Sequence, residues 1–307
     1  MPRPLLNRRS GTRRGSIPAR RRLLALTCWA WLACAACGST THRPVAVAVP
    51  PPAATEVASD PTAAQVTTTP SLPPPPAAGR VRYTVLAALH SATASVDVAV
   101  SDLTTGQEVH LGHATQVRAA SLTKLLIYLA AARSSAVVGS PARTAQAMIG
   151  HSDNDAATTL WRQAGKDPAV AGVVTEIGMT RTTQVPALFE PWDGWVTTAD
   201  DQLRLLRHIH AGDVPGAAQL RALMSQVDSD QDWGAGRVPA TTGRFVKNGW
   251  LPVGPGSWVV NTDGCMTADN GDAVCVAVTS TGSPTMAAGV AAVRAVAVAA
   301  VQSIVVP

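Results

Sequence analysis

Ser121 and Lys124 stand three residues apart in the run Ala119-Ala120-Ser121-Leu122-Thr123-Lys124-Leu125-Leu126-Ile127-Tyr128-Leu129-Ala130. Apolar residues at 122, 125, 126 and 129 predict a buried helix opening here, with Ser121 as N-cap or first-turn residue. The spacing puts Lys124 on the same face as Ser121. A serine hydroxyl needs a neighbouring base before it attacks a carbonyl. Burial favours the neutral amine of lysine, which can take that proton. A helix N-terminus adds a positive field where negative charge would develop. The chain holds three lysines, at 124, 166 and 247, against 22 arginines, so each lysine is conspicuous. Ser-x-x-Lys alone is a cheap pattern, and its chemistry needs support from elsewhere in the chain.

Two further segments supply candidates. In His151-Ser152-Asp153-Asn154-Asp155, Ser152 could relay a proton near Lys124. Asn154 could bind an amide carbonyl and a lysine, and Asp153 suits a loop tie to backbone N–H groups. The plainer reading is a polar helix cap. In Phe245-Val246-Lys247-Asn248-Gly249-Trp250, a lysine sits in an apolar strand beside a glycine that permits close approach. Lys247 could attract a carboxylate and support Ser152; the plainer reading is an edge lysine that discourages aggregation.

The elements that must position these groups are legible from periodicity. Val81, Val85, Leu86 and Leu89 suit a first helix. Residues 95–103 alternate as a strand, Thr104-Thr105-Gly106-Gln107 turns, and a second strand follows near 107–111. Helices are predicted over 141–150, 156–165, 168–177, 198–211 and 215–227. Residues 244–250, 257–262 and 272–279 read as three strands, and 285–306 as a long Ala/Val helix. That helix is long and apolar enough to raise a membrane span, but Arg294 and Gln302 favour packing against the sheet. The order implies an α+β fold, with an antiparallel sheet built from both chain ends, flanking helices and an inserted all-helical region.

The first 37 residues read as an export signal. Eight arginines lie in residues 1–22, and no acid precedes residue 37. Beyond Cys37 the balance turns slightly acidic, which removes any argument for nucleic acid binding. Arg20-Arg21-Arg22-Leu23-Leu24 resembles a twin-arginine signal, and Cys34-Ala35-Ala36-Cys37-Gly38-Ser39 resembles a degenerate bacterial lipobox. Cys37 is the expected lipidation site and Cys34 a weaker one, with simple cleavage and secretion as the alternative. Residues 38–79 hold proline runs and read as a disordered linker, leaving 80–307 as the globular domain. The remaining cysteines, Cys265 and Cys275, are equidistant from Asn270 in a turn-like stretch. In an exported hairpin they would form a disulfide; free thiols are the alternative. His208 and His210 are two apart on one helix, and Asp228, Asp230 and Asp232 lack a closing Gly and Glu, so neither set predicts a metal site.

Ser121-x-x-Lys124, Ser152-Asp153-Asn154 and Lys247-Asn248-Gly249, in that order, resemble the signature of class A β-lactamases and penicillin-binding proteins. The resemblance covers roughly residues 80–307. It implies a three-layer αβα, β-lactamase/transpeptidase-like fold and a serine hydrolase that forms an acyl-enzyme on Ser121. Lys124, Ser152 and Lys247 would be catalytic, and the N–H groups of Ser121 and Trp250 would form the oxyanion hole. Lys247 and Asn248 would meet a substrate carboxylate, with Asn154, Gly249 and Trp250 completing the binding site. No metal or organic cofactor is implied. Asn248 replaces the usual Thr or Ser, and Trp250 a small residue. The family's Glu-x-x-Leu-Asn stretch, whose Glu activates the deacylating water, is missing. Between Arg181 and Thr198 only Glu190 and Asp193 are candidates for that base. β-Lactam hydrolysis is therefore the leading expectation. The alternatives are a slow-turnover penicillin-binding or D-Ala-D-Ala peptidase-like protein, or a non-catalytic envelope lipoprotein. Expected partners are a small-molecule β-lactam or a peptidoglycan stem peptide, and a membrane through the lipid anchor only. The expected state is a monomer, membrane-anchored outside the cytoplasm or secreted.

Overall fold

The computed structural model describes residues 77–92, 94–134 and 141–305. The export signal, Cys34, Cys37 and nearly all of the proline-rich segment lie outside the described residues. The chain divides into two units, Met1–Thr68 and Thr69–Pro307, and every described residue belongs to the second.

Helix α1 (Ala77–Ser91) starts three residues ahead of the boundary expected from composition. β1 (Ser95–Asp102) and β2 (Glu108–Leu111) form the expected hairpin. The turn is held by Asp102, which accepts from the N–H groups of Thr104 at 2.8 Å and Thr105 at 3.1 Å. Near the other chain end, β6 (Thr241–Gly254), β7 (Ser257–Ala268) and β8 (Ala273–Thr281) run as a meander. β8 pairs with β1, giving a five-stranded antiparallel sheet in the order β2-β1-β8-β7-β6. Both chain ends thus build one sheet, as the alternation predicted.

Helices cover both faces, because the central strands β1, β7 and β8 bury side chains on both sides. On one face, α1 and α8 (Met286–Ile304) enclose a valine-rich core of Val96, Val98, Val276, Val278, Val293 and Val296. α8 is the one helix among the described residues long and apolar enough to cross a membrane. Its buried stripe, Gly289, Val293, Val296, Ala297 and Ala300, packs against the sheet. On the other face lie α2 (Thr123–Arg133), α3 (Pro141–Gly150), α4 (Asn154–Ala164), α5 (Lys166–Ile177), α6 (Ala199–Ala211) and α7 (Ala217–Met224). α2 is buried from Thr123 to Ala131, consistent with its apolar run from Leu125 onward. Cys265 and Cys275 oppose each other in the β7–β8 register, and their sulfurs are bonded.

Two features differ from the expectations. A second, small sheet joins Val117–Arg118 (β3), Trp195–Thr197 (β5) and Thr183–Gln184 (β4), in that order. Its strands are two or three residues long, too short to leave a periodic signal. The second concerns only the N-cap alternative for Ser121, which caps no helix and lies in the opening turn instead. It sits inside a single 3-10 turn, Ala120–Leu122, that precedes α2, and the N-cap position of α2 is Leu122.

Candidate active site

The turn carrying Ser121 is set by backbone strain that propensity does not encode. Ala120 has φ 52°, a left-handed conformation that a residue with a Cβ adopts at a cost of about 1–2 kcal/mol. Asn261 of β7 holds this segment to the sheet: its Nδ2 donates to the carbonyls of Arg118 at 2.9 Å and Ala119 at 3.4 Å. Its Oδ1 accepts from the N–H of Ser280 at 3.1 Å. Strand β6 then passes against the turn at Gly249. A Cβ there would lie 2.9 Å from the Ala119 carbonyl and 3.0 Å from the Ser121 nitrogen, so only glycine lets the strand and the Ser121 turn meet.

Lys124 is fully buried, and its Nζ lies 3.1 Å from Ser121 Oγ. It also reaches the Ser152 carbonyl at 2.5 Å, Ser152 Oγ at 3.1 Å and Asn154 Oδ1 at 2.7 Å. The ring of Trp192 lies beneath it, 5.0 Å away at its centroid. Burial brings the lysine pKa down to about 7, against the opposing pull of Asp153 and Glu190. Near neutral pH a large share of the amine is therefore uncharged and can accept a proton from Ser121.

Ser152 stands between two amines. Lys247, only 2% exposed, donates from Nζ to Ser152 Oγ at 2.9 Å and to the Asn248 carbonyl at 2.9 Å. Ser152 has φ 58°, the second strained non-glycine backbone in the site. Asp153 accepts from the N–H of Ala156 at 2.6 Å and caps α4. Of the three lysines, two thus converge on one hydroxyl, while the third, Lys166, lies exposed over Trp161.

The segment 181–198 separates the two candidate bases. Asp193 is buried and accepts from the N–H groups of Leu188 at 2.8 Å, Phe189 at 2.8 Å and Glu190 at 3.0 Å. Its carboxylate is spent on shaping the loop. Glu190 is left facing the site: its Oε1 accepts from Asn154 Nδ2 at 3.1 Å, so Asn154 links it to Lys124.

Asn248 departs from the expectation that it meets a substrate carboxylate. It lies buried, and its Nδ2 donates to the carbonyls of Gln231 at 2.7 Å and Trp233 at 3.2 Å. Strand alternation sends this side chain to the face opposite Lys247, where it ties down the 231–233 loop. Trp250 meets Trp233 edge-on at 5.8 Å. A cleft of about 250 Å³ contains Ser121, Asn154 and Glu190 between Phe189 and Trp192 on one side and Trp250, Pro252 and Trp258 on the other. A larger cavity, about 570 Å³, lies near His210, Arg221 and Phe245 but holds no serine–lysine pair. The chemistry selects the smaller cleft.

Two residues of this neighbourhood were absent from the expectations, Asn261 and Asp263. The signal existed: an amide and a carboxylate stand two apart on one face of a strand flanked by Val259, Val260 and Cys265.

A family model described as the beta-lactamase enzyme family matches residues 140–304, more than half of the 307-residue chain. The match includes Ser152, Asn154, Glu190 and Lys247 but begins after Ser121 and Lys124, which the tertiary structure adds. No curated protein matches the chain. Among solved structures, the chain is similar to the TLA-3 extended-spectrum beta-lactamase, with 15% identity, 74% of this chain and 99% of that one covered, and a TM-score of 0.64. A class A beta-lactamase representative from Bacteroides cellulosilyticus has 18% identity, 74% and 98% coverage and a TM-score of 0.61. A beta-lactamase from Sphaerobacter thermophilus has 21% identity, 75% and 98% coverage and a TM-score of 0.60. At these identities the likeness is one of fold.

Proposed function

The chain belongs to the beta-lactamase enzyme family, and from that premise we propose that it is a serine hydrolase that opens β-lactam amides through an acyl-enzyme on Ser121. The observation that carries the reading is the buried Lys124 amine, 3.1 Å from Ser121 Oγ, with a pKa of about 7. In acylation, Ser121 Oγ attacks the carbonyl carbon and gives its proton to Lys124. The proton passes through Ser152, which both lysines touch, to the departing ring nitrogen. The N–H groups of Ser121 and Trp250 stabilise the oxyanion, and Lys247 attracts the substrate carboxylate. In deacylation, Glu190 takes a proton from the water that attacks the ester carbonyl, and the proton returns to Ser121 as the ester bond breaks. The Glu190–Asn154 contact favours turnover over a permanently acylated, penicillin-binding state.

Intact-mass measurement after mixing with penicillin tests this. A gain of one penicillin mass that decays is expected, and none in Ser121→Ala. Glu190→Gln should keep acylation and prolong the adduct by about 10²–10⁴-fold. A wild-type adduct that persists would instead identify a penicillin-binding protein, and no adduct with any β-lactam would remove the hydrolase reading. We further propose export, with anchoring through Cys37 or release by cleavage. Loss of a radiolabelled lipid in Cys37→Ala would distinguish the two.

A further inference from the structure

Lys247 of β6 and Asp263 of β7 are direct partners in the strand register. Cross-strand partners share a face, with Cβ atoms about 4.5–5.5 Å apart. Lys247 is 2% exposed and Asp263 is fully buried. Neither carboxylate oxygen of Asp263 has a hydrogen-bond partner among the described residues. A buried carboxyl without such partners is costly to keep, so its place beside a lysine calls for a use. Within the same residues, the hydrogen bonds of Lys247 go to neutral acceptors, Ser152 Oγ and the Asn248 carbonyl.

We propose that Asp263 is a positioning residue: the buried counter-charge that keeps Lys247 an ammonium ion while Lys124, on the same hydroxyl, works as a neutral amine. The proposal rests on Ser121 as nucleophile and Lys124 as its base. A neutral Lys124, a charged Lys247 and an ionised Asp263 sum to zero charge, the arrangement a buried cluster tolerates best. Removal of the carboxylate leaves a lone ammonium buried beside a second amine.

The other charged groups packed around this face are committed elsewhere. On α6, Asp201 accepts from Thr182 and the Arg181 N–H and pairs with Arg204, while its neighbour Gln202 is neutral. β8 sets Ala277 opposite Asp263. Asp153 caps α4, and Glu190 bonds Asn154. On balance burial disfavours the charged pair, and each partner is the group that acts against it. Burial and then the charge of Lys124 pull the Lys247 pKa well down, and Asp263 opposes them. Burial pushes Asp263 well up, and Lys247 opposes that.

With only three lysines in the chain, carbon-13 labelling at lysine Cε resolves each titration by NMR, assigned with Lys166→Arg. In the full wild-type protein Lys124 should titrate at about 7 while Lys247 stays charged at that pH. In Asp263→Asn the Lys247 midpoint should fall by at least about one pH unit, a tenfold change in its proton affinity. The ratio of acylation rates for penicillin over a carboxylate-free ester should fall as pH rises past the lowered Lys247 midpoint, about tenfold per pH unit, and recover below it. A structural defect alone would lower both rates and leave the ratio unchanged. An unmoved Lys247 titration in Asp263→Asn overturns the proposal. If that variant does not fold, the wild-type titration decides: Lys247 charged at pH ~7 supports the proposal, and neutral overturns it. The titration needs no substrate, so a protein that no β-lactam acylates would refute the enzyme reading and leave this result standing.

Discussion

Lys124 has more acceptors within reach than an ammonium has protons. Four oxygens lie within 3.1 Å of its nitrogen, from Ser121, Ser152 and Asn154, against at most three N–H groups. As a neutral amine it donates two and offers a lone pair, which suits the Ser121 hydroxyl as donor. Acylation should therefore rise with pH through about 7, as Lys124 loses its proton, and level off above. Stopped-flow acylation rates across pH check this; a flat profile through that range excludes Lys124 as the base. Lys124→Arg, permanently charged, should lose about 10²–10⁴-fold in acylation rate. The residue type and its helical spacing were legible in the sequence. The converging serine and asparagine, roughly 30 residues later in the chain, were legible only as a motif without geometry.

At the scale of elements, the site is the place where β6 presses on the 3-10 turn before α2. Gly249 sits at that contact, and its missing Cβ is what brings strand and turn together. Gly249→Ala should push the two apart. The expected outcome is a stability loss of about 1–3 kcal/mol together with loss of acylation, read by denaturant melts and by intact mass. Retention of full acylation would show that the contact does not shape the oxyanion site. The loop before α6 follows a similar logic. Glu190 and Asp193 are equal candidates by composition, and the three N–H groups that converge on Asp193 make one a scaffold and leave the other free.

At the scale of the molecule, one sheet is closed by β1 from the early chain and β6 to β8 from the late chain, with the helical region inserted between. Ser121 belongs to the insertion and Lys247 to the sheet, so the cleft exists only when both layers have docked. The Cys265–Cys275 disulfide staples β7 to β8 over a separation of 10 residues. For so short a loop the chain-entropy gain is about 2–3 kcal/mol. Replacing both cysteines with alanine should lower the unfolding free energy by an amount of that order, read by denaturant melts, and leave the acylation rate of the folded protein within about threefold. A much larger loss of acylation would place the staple in the catalytic geometry.

Period and punctuation determined much on their own. Alternating valines marked the strands of the sheet, the apolar run after Ser121 marked α2, and the order of the three motifs marked the family resemblance. These are local or ordinal properties, carried by side-chain type and spacing. Tertiary structure decided what depends on which face a side chain takes and what meets it there. It turned Asn248 away from Lys247 and put Ser121 on a strained turn instead of a helix cap. It left Glu190 free where Asp193 is bound, and set Asp263 across from Lys247. Each of those outcomes depends on partners distant in the chain or on the face a strand presents, and no local pattern carries that information.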